Sequence, residues 1–254
     1  MQRAKFTEIS PAVTLIDDAG EATCYLVKGK EKAALIDTAN GKENLKEIVR
    51  SLTELPLIVV NTHGHCDHVY GNVFFEEAYL HEADLPLMKE HFSMPQGKEC
   101  LKRTGLTPCP TKSIRQGDVI DLGGKRLEIY EVPGHTKGSI VLLDRDERIL
   151  FTGDALNGHL WMQLKESTSI LTLIHSIESL QPIRGAFDRI LTGHSQAPED
   201  ASLIDELYAG AQELLDGKTQ GDSDYKWFFG NSKRHDYGEY GRSIIYDEKR
   251  DPRV

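Results

Sequence analysis

Cysteine is scarce in this chain of 254 residues: there are four, at positions 24, 66, 100 and 109, with no C-x-x-C pair among them. A disulfide-stapled scaffold is thereby excluded. Positive charge is also short, with 30 Lys and Arg against 40 Asp and Glu and a formal net charge of -10. A nucleic-acid surface needs a basic stripe to neutralise phosphates, so that class of partner is set aside. No apolar run reaches membrane-spanning length, and the stretch from Met1 to Glu8 leads into no signal-peptide core. The expectation is a cytoplasmic protein with no membrane partner. A G-x-S-x-G elbow for a serine nucleophile is missing too, as are internal repeats and low-complexity tracts.

What the chain does have is histidine at informative spacing. His63-Gly64-His65-Cys66-Asp67-His68 follows the apolar, β-branched run Leu57–Asn61. Further along come His135 in V-P-G-H-T-K-G-S, Asp154 in L-F-T-G-D and His194 in L-T-G-H-S. Each lies just past an apolar run closed by Gly or Thr, the form of a buried strand emptying into a loop. Neutral imidazole with carboxylate is the usual zinc set, and seven such groups at strand ends point to a metal pocket. Any one of these histidines, taken alone, would read as an ordinary core or loop residue. His81, His91, His159, His175 and His235 lack the spacing and are read as ordinary, with His159 singled out for its nearness to Asp154.

The constellation resembles the metallo-β-lactamase-fold hydrolase superfamily, whose signature is H-x-H-x-D-H followed at distance by His, Asp and His. The similarity runs from about residue 12 to about residue 200. It implies that His63, His65 and His135 hold one metal ion, that Asp67, His68 and His194 hold a second, and that Asp154 bridges them. It further implies a mixed α/β fold, a four-layer αββα sandwich with the site at one edge. Cys66 falls at a position the family treats as variable, and is expected to be a small buried filler and not a ligand. Asp154 stands where class B1 and B2 β-lactamases carry Cys, which argues against antibiotic hydrolysis. His65 stands where flavodiiron proteins carry Glu, which argues against that oxygen-reducing branch.

The remaining sequence fits one domain over residues 1–254. Strands are expected at Ala12–Asp17, Thr23–Lys28, Ala33–Asp37 and Leu57–Asn61, with a helix over Lys42–Thr53. A second half repeats the theme, with strands at Val119–Leu122, Lys125–Val132, Ile140–Asp144, Ile149–Thr152 and Arg189–Thr192 and a helix over Thr168–Ser179. Residues 85–115 form either a surface excursion with one helix or a lid over the pocket. The loop Asn157–Met162, with Trp161, is a second candidate wall. The extension at 217–254 carries an aromatic knot, Tyr225–Gly230, and is expected to cover a sheet edge.

Two divalent ions, zinc first with manganese or iron as alternatives, would ionise a shared water to a metal-bound hydroxide. Asp67 would orient that water as the catalytic carboxylate. The expected activity is hydrolysis of a small ester, thioester or lactone. No Lys- and Arg-rich helical domain follows His194, so a glutathione conjugate is not singled out as substrate. Three other readings stay open: a phosphodiester hydrolase, a mononuclear iron oxidoreductase akin to persulfide dioxygenases, and a metal-bearing sensor without turnover. Oligomeric state is not legible.

Overall fold

The computed structural model describes residues 4–228, 230–238 and 241–253. Its first sheet has seven strands in sequence order: β1 (Lys5–Ser10), β2 (Val13–Asp17), β3 (Thr23–Lys28), β4 (Ala33–Ile36), β5 (Leu57–Val60), β6 (Ala78–Leu80) and β7 (Thr111–Ser113). The first four pair antiparallel, and β4 through β7 pair parallel. Four helices interrupt this run: α1 (Leu45–Leu52), the single turn α2 (Cys66–Val69), α3 (Leu85–Ser93) and α4 (Pro95–Thr104).

The second sheet takes up β8 (Val119–Asp121), β9 (Arg126–Glu131), β10 (Ile140–Asp144) and β11 (Ile149–Gly153). The next strand, β12 (His159–Trp161), leaves that sheet, and after helix α5 (Ile170–Ser179) the chain returns to it as β13 (Arg189–Thr192) and β14 (Glu199–Asp200). Helix α6 (Ser202–Leu215) then precedes β15 (Ser223–Trp227), β16 (Gly230–Asp236) and β17 (Ser243–Tyr246).

Successive strand side chains point to opposite faces, and that alternation builds the layers. Val13, Leu15, Tyr25, Val27, Ala34 and Ile36 of the first sheet meet Leu127, Ile140, Leu142, Phe151 and Leu191 of the second in one shared core. The alternate residues Ile16, Leu26 and Leu35 face outward onto Leu45 and Val49 of α1. Likewise Val141, Leu143, Leu150 and Ile190 face outward onto α5 and α6. Helix, sheet, sheet and helix thus stack as the expected sandwich. Strands buried on both faces read as unbroken apolar runs, which is why they stand out in the sequence.

Several elements depart from the expectation: β1 went unread, and the expected loop at Asn157–Met162 carries β12. Residues 85–115 contain two helices and the strand β7, which belongs to the first sheet. Helix α6 has an amphipathic face, Leu203, Ile204, Leu207, Ala211 and Leu214, that went unread. The C-terminal strands pair with neither large sheet. They join β12 in a separate four-stranded sheet of order β12-β17-β16-β15 that packs against α6. Among the described residues no helix is long and apolar enough to cross a membrane.

Phe151 lies between the sheets, fully buried, with its ring 5.3 Å from that of Tyr25. Phe151→Ala removes that ring from a core with little room to collapse and should cost about 3–5 kcal/mol of stability. Urea unfolding with an unchanged m-value would measure it, and a loss below about 1 kcal/mol would contradict this account of the core.

Candidate metal centre

Strand direction explains why distant histidines meet. β4 and β5 run parallel, and β9, β11 and β13 share one direction in the other sheet. Their C-terminal ends open at one edge. Asp37 follows β4, His63 and His65 follow β5, His135 follows β9, Asp154 follows β11 and His194 follows β13, while α2 carries Asp67 and His68. All seven expected residues are brought together there. In open α/β sheets, loops at the carboxyl ends of strands are the ordinary place for a site.

The ring nitrogens facing away from the centre settle the tautomers. Thr62 Oγ1 lies 2.8 Å from Asp37 Oδ2 and must donate to that carboxylate, so it accepts from His63 Nδ1–H at 3.0 Å. His65 Nε2–H donates to Glu166 Oε1 at 2.7 Å, and His135 Nδ1–H donates to the Trp161 carbonyl at 2.8 Å. In the neutral rings that a metal requires, the three remaining nitrogens carry the lone pairs. His63 Nε2 and His135 Nε2 nevertheless lie only 3.0 and 2.9 Å from His65 Nδ1. With the rings neutral, three lone pairs meet at that point, and a cation at their centre suits them.

The second group is acidic. His68 Nδ1–H donates to Asp37 Oδ2 at 2.9 Å, and His194 Nδ1–H donates to the Glu21 carbonyl at 2.9 Å. Their Nε2 atoms face carboxylates: His68 Nε2 lies 3.6 Å from both Asp67 Oδ2 and Asp154 Oδ1, and His194 Nε2 lies 3.1 Å from Asp154 Oδ2. His68 Nε2 and Asp154 Oδ1 are buried without a hydrogen-bond partner.

Electrostatics divide the two groups. Burial, with neighbouring imidazoles, pushes His63 well below its ordinary range and His135 down to about 4. The Asp154 carboxylate lifts His194 to about 9. Burial opposes charge on His68, but Asp67, Asp154 and Asp37 outweigh it and raise its pKa. One side rejects protons and the other attracts positive charge, so the donor set fits two cations.

Supporting residues went unread in the sequence. Asp37 takes Thr62 N–H at 2.7 Å as well as the bonds above, in a left-handed conformation (φ 62°) that costs about 1–3 kcal/mol. Asp84 joins two ligand loops, accepting from Gly64 N at 2.8 Å, Thr136 Oγ1 at 2.7 Å and Gly138 N at 2.8 Å. At Gly193 a Cβ would sit 2.3 Å from Asp154 Oδ1 and 2.6 Å from His68 Cε1, so only glycine lets that loop approach. His91, expected to be ordinary, instead stands 5.4 Å ring to ring from His65 and lines the cavity, and it groups with His65 and Glu166. His159 also lines the cavity but is engaged by Ser243 Oγ at 2.7 Å. Cys66 is half-buried on the cavity wall, not a buried filler, and burial pushes its thiol up to about 12.

A family model described as the metallo-beta-lactamase superfamily matches residues 17–204. The chain belongs to this superfamily. Among curated relatives, the acyl-coenzyme A thioesterase MBLAC2 of Gallus gallus is 28% identical over 204 residues, spanning 70% of this chain and 74% of the relative. The hydroxyacylglutathione hydrolase GloC of Haemophilus influenzae is 31% identical over 144 residues, spanning 54% and 68%. The solved metallo-beta-lactamase from Pontibacter korlensis superposes with a TM-score of 0.63 at 21% identity, covering 83% of this chain and 99% of that one. That last likeness speaks to the fold. With its superfamily and its hydrolytic relatives, the chain is a metal-dependent hydrolase.

Glu166 orients His65 without touching the centre itself, and removal of such a partner typically costs 10–100-fold in metal affinity. Glu166→Ala should therefore weaken zinc binding by about that factor in chelator competition, and unchanged affinity would refute the role. In the apoprotein at pH 7, His194 carries a proton that a cation must displace. Zinc uptake should thus release protons, and affinity should climb with pH until about 9 before levelling. Calorimetry in buffers of different ionisation heat counts those protons, and no release at pH 7 would contradict the assigned charge.

Proposed function

We propose that this hydrolase cleaves acyl thioesters of small-molecule carriers using two zinc ions. His63, His65 and His135 would hold one ion, Asp67, His68 and His194 the other, and Asp154 would lie between them. The observation that carries the proposal is the acceptor-only convergence, with Asp154 shared by both groups: its Oδ2 lies 3.1 Å from His194 Nε2 and 3.8 Å from His135 Nε2. A second complete group supports a dinuclear site over a single iron, and its carboxylates are more than a binding protein needs.

Divalent ions so held would polarise a substrate carbonyl and would lower the pKa of a bound water from about 15.7 toward ~7. Asp67 supplies the positioned carboxylate. It lines the cavity, and its Oδ2 stands 3.6 Å from both His68 and His194 Nε2, where it would orient the attacking water. The neighbouring titratable groups are weak general acids at neutral pH. Burial holds His91 neutral at about 4 and Cys66 protonated at about 12. An alkoxide leaving group would need such an acid. A thiolate, from a thiol of pKa about 8.5, leaves without one. The relatives' names, an acyl-coenzyme A thioesterase and a hydroxyacylglutathione hydrolase, agree in describing release of an acyl group from a sulfur carrier.

Purified enzyme should contain two zinc ions per chain and hydrolyse acyl thioesters faster than matched oxygen esters. His65→Ala, which removes a donor from the all-imidazole group, should reduce bound metal and lower kcat/KM by roughly a hundredfold or more. One iron per chain with oxygen consumption, and no thioester cleavage, would overturn the proposal.

A further inference from the structure

We infer that the C-terminal sheet builds an acyl-chain subsite against the metal centre, with Trp161, Trp227 and Phe228 as its wall. The assignment deepens the thioesterase reading and rests on it for the identity of the chain. The family match ends at residue 204, so Trp227 and Phe228 lie outside the matched region. A cavity of about 950 Å³ joins these rings to the site. That volume is near the upper end of ~300–1,000 Å³ for small-molecule sites, more than a small acyl group requires.

The wall starts at the chemistry. The Trp161 carbonyl accepts from His135 Nδ1–H at 2.8 Å, so the residue that orients a ligand also carries the first ring. From there the rings continue outward: Trp161 to Trp227 at 5.9 Å, Trp161 to Phe228 at 5.8 Å and Trp227 to Phe228 at 5.7 Å. Phe228 is 76% exposed, the most exposed of the large apolar side chains described. An exposed apolar surface is the informative kind, because solvent gives no reason to keep it there. Leu87 and Met94 from the segment at 85–115, with Leu164, complete an apolar channel.

Charge excludes an anionic tail at this wall. Lys165 is paired with Glu90, and Arg250 lies 3.8 Å from Asp247, so both cations bordering the cavity have a carboxylate partner. Glu21, Asp67, Asp154 and Glu166 make the remaining charged lining acidic. A neutral, flexible hydrocarbon suits this surface, and the carrier's polar portion extends to solvent.

The test uses zinc-loaded full-length protein and the product carboxylates butanoate, octanoate and dodecanoate, with binding read by tryptophan fluorescence and calorimetry. Buried methylenes each add up to about fourfold in affinity, so dodecanoate should bind far more tightly than butanoate. Phe228→Ala, at an exposed position that endangers no core, should reduce the dodecanoate-over-butanoate preference about tenfold, and Trp227→Ala should do the same. Equal affinity for all three acids, or a preference unchanged in both variants, overturns the subsite. Length-dependent binding without thioester hydrolysis supports the subsite and sinks the thioesterase reading. Thioester hydrolysis whose kcat/KM ignores chain length, with equal binding of all three acids, does the reverse.

Discussion

Three imidazole lone pairs aimed at one point form the constraint around which the molecule is arranged. Left without a cation, each buried acceptor lacking a partner costs about 1–3 kcal/mol, and the groups around it would be expected to turn away. They are prevented from doing so. Thr62, Glu166 and the Trp161 carbonyl each occupy the far nitrogen of one ring. Asp37 does the same for His68 while tying down the backbone ahead of His63. Local strain is accepted for the same end: Asp37 sits at φ 62°, and Gly193 passes where no side chain fits. Such expenditure on orientation makes sense where an ion supplies the compensating free energy.

The central strands of the two large sheets and the seven converging donors were legible because both leave local traces. Runs buried on two faces read as continuous apolar stretches, and each donor directly follows one. The three supporting carboxylates leave no such trace. Asp37 reaches His68 across 31 positions, Asp84 reaches Gly138 across 54 and Glu166 reaches His65 across 101. An isolated Asp or Glu on a loop looks the same whether it staples two ligand loops or faces water. His91 was passed over for the same reason, since only the packing of α3 against α2 brings it beside His65. Helix α6 was a different failure: its apolar face is clear once its partner sheet is known, but its polar residues resemble the solvated stretch that follows.

The third sheet shows how one framework divides its labour. β12 belongs to it by pairing, through His159 with Ser243 and Trp161 with Ile245, yet the Trp161 carbonyl orients His135. A strand pairing made late in the chain is therefore coupled to a ligand set early. His159 is part of that seam, bonded to Ser243 and reaching Tyr225 at 3.3 Å, which explains its place at the cavity without a chemical role.

That coupling bears on how substrate choice can change while the chemistry stays. Most of the donors follow strands of the two large sheets, with supports that come also from β12 and the loop after it, and altering them alters the charge balance of the site. The aromatic rings of β15 and the turn after it, Tyr225, Trp227 and Phe228, come from outside those two sheets. They meet Trp161, whose backbone carbonyl accepts from His135 and whose indole lines the cavity. Backbone and side chain of one residue thus answer to different demands, and replacing the indole leaves the carbonyl in place. The proposed subsite therefore takes its rings from the C-terminal sheet, while the donors it faces sit at the strand ends of the large sheets.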